Sequence, residues 1–154
     1  MNLDWLPASA VAATIVIIGW QVVYNNGKKL ASRNETYSIA NQISTLIADI
    51  QKISESFWLK GEFNDNPQFY ELLVLSKIKL IHSKVKLLEK RSVEVYKVSR
   101  LIYPIRRSCT FDIHNIESQT LDFKREHIEN ILNSTLDFAQ SLDEQMQNAF
   151  PFNN

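Results

Sequence analysis

His82, His114, His127 and Cys109 are the residues of this chain best suited to metal binding or nucleophilic chemistry. No two of them have the i, i+4 or Cys-x-x-Cys spacing that places two ligands on one centre. Cys109 and His114, with Arg106 and Arg107 beside them, could in principle form an activated thiol, because adjacent cations favour the thiolate. A nucleophile also needs a base oriented by a third group, and nothing near Cys109 supplies one. A structural cysteine at a helix junction is therefore expected. Glu126 and Glu129 flank His127, but a di-metal carboxylate bundle needs two Glu-x-x-His sets on separate helices, and the chain has none. GxSxG, HExxH and Gly-rich phosphate loops are absent. The residues predict no enzyme, no metal and no cofactor.

Whatever the chain does must then rest on its helices and its charge. It has 154 residues, and 17 Lys+Arg balance 17 Asp+Glu. This excludes a wholly basic nucleic-acid packer and an acidic disordered tail. Three Gly and four Pro are too few for a sheet protein built on tight turns. A single cysteine excludes an internal disulfide framework and fits a reducing compartment.

Residues 5–24 read WLPASAVAATIVIIGWQVVY without one charge. A helix of twenty residues covers about 30 Å, the hydrocarbon thickness of a bilayer. Trp5 at one end, with Trp20 and Tyr24 at the other, suits the two headgroup zones. Pro7 fits a first turn. A cleaved signal peptide would need a positive start and small residues after the apolar run, whereas Ala8-Ser9-Ala10 precedes it. Lys28, Lys29 and Arg33 follow the span and only Asp4 precedes it. The positive-inside rule then puts the N-terminus outside and the C-terminus in the cytoplasm, in an inner (plasma) membrane.

Asn25-Asn26-Gly27 could end the anchor helix, and Ser32 to Glu35 matches a capping box. A continuous helix stays open, since one Gly costs about 1 kcal/mol. Ile39, Ile43, Leu46, Ile50, Ile53 and Phe57 are spaced 4, 3, 4, 3, 4, a heptad seam. Gly61 should stop this helix, and Asn66-Pro67 should start the next. There Val74, Ile78, Ile81, Val85 and Leu88 form one row, and Leu73, Leu80 and Leu87 widen the face. A break at Lys90 to Ser92 should precede a short helix carrying Val95, Val98, Leu101 and Ile102 as far as Pro104. A last helix between Asp112 and Ala149 should bury Leu121, Ile128, Ile131, Leu132, Phe138, Leu142 and Met146.

The expected fold is all-α: one N-terminal transmembrane helix, then a cytoplasmic antiparallel bundle of three to four long helices with heptad-like seams. The expected divisions are 1–4 outside, 5–24 membrane, 25–34 juxtamembrane linker, 35–150 bundle and 151–154 tail. The plan resembles that of small bacterial inner-membrane proteins, a likeness of layout that no motif carries.

Charge is uneven. From Lys77 to Arg107 ten basic and two acidic residues give +8, and from Ser108 to Asn154 two basic and eight acidic give −6. The basic segment could pack beside the acidic helix, meet anionic lipid, or meet another molecule. Lys77, Lys84, Arg91, Arg106 and Arg107 form the expected basic partner face. Nucleic acid is not expected, because no helix-turn-helix or stacking platform accompanies the charge. The partners expected are the bilayer, an unidentified protein, and through the seam a second copy of the chain. The function expected is a non-enzymatic tethered scaffold or sensor. The alternative is a membrane-perturbing, toxin-like or defence effector, supported only by small size and one span.

Overall fold

A computed structural model describes residues 8–63 and 66–151, with the side chains of 8–14 outside the description. The readings at 1–7, among them Trp5 and Pro7, and at 152–154 lie outside the described residues. The protein is all-α, with α1 Ala8–Lys60, α2 Pro67–Glu89, α3 Tyr96–Thr110, a 3-10 turn Ile113–Ser118 and α4 Leu121–Ala149 packed as a bundle. Two compact units divide the chain, Met1–Glu35 and Thr36–Asn154.

In the first unit residues 25–34 are helical, so no linker interrupts α1. Gly27 has open space around it, and a lone glycine is tolerated inside a long helix at a cost near 1 kcal/mol. Among the described residues no helix is long and apolar enough to cross a membrane. Of the expected span 5–24, only 15–24 carry described side chains.

The second unit is held by one core. The α1 line that is buried is Thr36, Ala40, Ile43, Ile47, Ile50, Ser54 and Phe57, again spaced 4 and 3. It shares Ile43, Ile50 and Phe57 with the expected seam. Ile39, Leu46 and Ile53 are only half-buried along its border, displaced by Ala40, Ile47 and Ser54. The seam is thus turned toward small and polar residues. Ser54 shows why: the Tyr70 hydroxyl of α2 approaches it to 3.0 Å, closer than a large side chain would allow.

Side-chain pairs fix the helix directions. Ser54 meets Tyr70, Asp49 meets Lys77 and Gln42 meets Lys84, so α2 runs antiparallel to α1. Tyr37 meets Phe150, Gln51 meets Thr135 and Trp58 meets His127, so α4 does as well. Gly61, at φ 74, ends α1, and Glu62 N–H bonds the Ser56 carbonyl at 3.0 Å. The Asn66 side chain accepts from Phe69 N–H at 3.1 Å with Pro67 in the first turn of α2. Val74, Ile78, Ile81, Val85 and Leu88 are buried as the spacing predicts, but the second row is not, since Leu80 and Leu87 are exposed.

One boundary differs from expectation. α3 passes through Pro104 and continues to Thr110. An internal proline costs about 3 kcal/mol. The turns beyond it bury Ile105 and Cys109 completely, which offsets that cost. At its far end α4 starts at a Thr120 cap, whose hydroxyl accepts from Phe123 N–H at 3.3 Å. Leu121 and Leu132 are exposed, and His127, Thr135 and Gln145 are buried in the line instead.

The rotated seam separates two substitutions of equal chemistry. Ile47→Asp should place an unpaired carboxylate in the core and destabilise the fold by about 3–5 kcal/mol. Leu80→Asp should change stability by no more than about 0.5 kcal/mol. Urea melts followed by circular dichroism check both.

Candidate functional site

The end of α3 needs partners from outside the helix, because its last four carbonyls have no intrahelical donor. The Tyr70 hydroxyl donates to the Cys109 carbonyl at 3.1 Å while sharing a 3.0 Å hydrogen bond with Ser54. The Tyr70 ring stacks on Phe57 at 3.9 Å between centroids. Burial raises the Tyr70 phenol well above its usual value, and the neighbouring Cys109 pushes the same way. The backbone of Ser108, one residue back, lies near His127 of α4.

A cleft of about 400 Å³ lies between the end of α3 and the start of α4. Pro104, Arg107, Ser108 and Phe111 line one side, and Phe123, Glu126, His127 and Asn130 line the other. His127 is 6% exposed, and its buried Nε2 has no hydrogen-bond partner among the described residues. Burial lowers the His127 pKa below 6.5; the Ser108 backbone and the Asp112 charge oppose the shift without overcoming it. The ring is therefore neutral at pH 7. Trp58 lies behind it at 4.0 Å, with its own Nε1 unpartnered. Phe123 and Phe111 lie at 5.9 and 6.3 Å, with planes only 21° and 19° from that of His127. Asp112 fixes the chain leaving the cleft by accepting from Asn115 and Gln119 across the 3-10 turn.

No family model, curated protein or solved structure matches this chain. The site is thus read from its own geometry.

The structure brings few of the expected site residues together. Lys77 pairs with Asp49 and Lys84 donates to Gln42, so both are engaged by α1. Arg91 is half-buried with an interaction of its own. Arg106 lies in a groove between α2 and α3 with Lys79 and His82, whereas Arg107 lines the α3–α4 cleft. The basic face is therefore divided. Adjacent helical residues point about 100° apart, which separates Arg106 from Arg107. Lys77 and Lys84 flank the buried row of α2 and so face the helix that the row packs on. Trp20, Tyr24, Lys28 and Lys29 are exposed on α1, and Arg33 is half-buried with a partner. His114 is exposed while Cys109 is fully buried, so they form no catalytic pair.

His127, Phe111, Phe123 and Trp58 were not legible as a site. Trp58 and His127 lie 69 positions apart in the chain, and no local spacing connects them. Thr120 before Phe123 is an N-cap signal that could have placed the start of α4.

Two measurements probe this region. Burial pushes the Cys109 thiol up to about 12, so a disulfide reagent should leave it unlabelled at pH 8 and react once the fold is melted. His127 carries a folded pKa below its unfolded value of 6.5. Its contribution to stability is then complete above 6.5 and is lost as pH falls through that value toward the folded pKa. His127→Phe should flatten the fall in stability between about pH 7 and pH 5, as read from melts at each pH.

Proposed function

We propose that the chain is a single-pass, bacterial-type inner-membrane protein whose C-terminal bundle acts in the cytoplasm as a non-enzymatic tethered scaffold or sensor for protein partners. The observation that carries this reading is the surface of α1 between Ile15 and Tyr24. Ile15, Val16, Ile17, Ile18, Trp20, Val22, Val23 and Tyr24 are all exposed, Trp20 by 75%. Eight such residues in ten positions surround the helix on every side. A helix apolar all round belongs in an apolar medium. Lys28 and Lys29 follow at the end expected to meet the cytoplasm. The non-enzymatic part draws on the sealing of Cys109, the nucleophile with the most basic surroundings in the sequence. The scaffold part draws on a second unit with its own core and a divided, exposed charge pattern.

The full chain should pellet with membranes and resist carbonate extraction. Ile15→Lys with Ile18→Lys should release it, since each charge costs about 2.5–3.5 kcal/mol near the centre of the span. A C-terminal reporter active only outside the cytoplasm would overturn the orientation. Depolarisation of cells on expression would favour a membrane-perturbing effector instead.

A further inference from the structure

The α3–α4 cleft has features that a purely structural junction does not need. Arg107 and Glu126 face it from opposite sides, and neither side chain forms an ion pair or hydrogen bond among the described residues. Glu126 and Asn130 are four residues apart and so share one face of α4. Phe111 remains 55% exposed at the cleft although an apolar ring gains by burial. The Phe111 and Phe123 planes each lie within 21° of the His127 plane. His127 is buried against Trp58, 4.0 Å away between ring centroids, so packing holds its ring before any ligand arrives.

We propose that this cleft binds a planar aromatic anion bearing an N–H donor, either an aromatic carboxylate or a nucleotide. The proposal gives a ligand to the sensor in the functional reading above and rests on that reading. The flat ring would lie along the Phe111, His127 and Phe123 planes, where offset stacking is favourable. The carboxylate or phosphate would meet the Arg107 guanidinium, whose planar fork suits either group. The N–H donor would meet Glu126, and the Asn130 amide can donate or accept beside it. An uncharged apolar ligand would desolvate Arg107 and Glu126 without replacing water, a penalty that disfavours it. An aliphatic anion would leave Phe111 uncovered.

The test uses the full chain in mild detergent, so its result is independent of membrane fractionation. Calorimetric titrations use 4-aminobenzoate and AMP, with cyclohexanecarboxylate and inorganic phosphate as controls. In parallel, Trp5→Phe with Trp20→Phe leaves Trp58 as the sole tryptophan, which packs on His127 and Phe123 and reports occupancy. Binding of 4-aminobenzoate alone would assign the carboxylate class. Binding of AMP alone would assign the nucleotide class, and binding of both would establish the shared chemistry. Arg107→Gln should weaken binding by about tenfold or more, and Phe111→Ala should weaken it as well. Both positions are exposed, and unchanged melting curves confirm that the variants fold. Binding of neither aromatic probe, equal binding of cyclohexanecarboxylate, or indifference to Arg107→Gln would each overturn the proposal. A chain that binds the probes yet fails to pellet with membranes would overturn the tether alone.

Discussion

The Tyr70 hydroxyl is the constraint on which the rest of the second unit depends. It is fully buried, so it must find hydrogen-bond partners inside the protein or carry an uncompensated desolvation cost. It finds Ser54 on α1 and the Cys109 carbonyl on α3. One side chain of α2 thereby joins three helices and closes an otherwise open helix end. At the same end of α3, His127 of α4 lines a cleft with Ser108 and packs 4.0 Å from the Trp58 ring. Gln51 of α1 donates to Thr135 of α4 at 2.7 Å, a second polar link in a core that is mostly apolar. Hydrophobic burial supplies most of the driving force, but it is not directional. These bonds specify which helix faces which.

The cleft is a consequence of that closure. Drawing α4 onto the end of α3 leaves the aromatic rings of Phe111 and Phe123 on either side of a fixed imidazole. Arg107 and Glu126 remain at the opening with no mutual bond. A neutral, buried His127 is compatible with this packing, because desolvation disfavours the imidazolium more strongly than Asp112 favours it. The site is thus rigid at its base and polar at its rim, which is the arrangement of a preformed small-molecule pocket.

Charge plays a different part from the one the sequence pattern implies. The +8 segment does not present a single face, because Lys77 and Lys84 are engaged by α1. Ion pairs at this level of exposure contribute little to stability, commonly below about 1 kcal/mol. They do oppose the like-charge repulsion of the segment, and they fix the register of α2 against α1 at Asp49 and Gln42. What remains of the basic surface is divided between a groove holding Arg106 and a cleft holding Arg107.

The helical class, the stop at Gly61, the Asn66-Pro67 start and the buried row of α2 were legible in the sequence, because each depends on local chemistry. Apolar residues at 3.6 periodicity must share a face, and an Asn before Pro can cap a helix whatever lies around it. Local rules also account for the misplaced features. Spacing alone puts Ile39, Leu46 and Ile53 in the α1 seam, whereas the fold buries Ala40, Ile47 and Ser54 beside them. Which of two adjacent lines is buried depends on where Tyr70 and α4 approach, and no spacing within α1 records that. Pro104 was read as a stop because its cost is local, whereas the burial of Ile105 and Cys109 that offsets it is tertiary. The cleft lies furthest from the sequence. Its residues come from the end of one helix and the start of another. They come together only when the end of α3, closed by the Tyr70 hydroxyl, packs against α4, a requirement set by helix termini and met by folding.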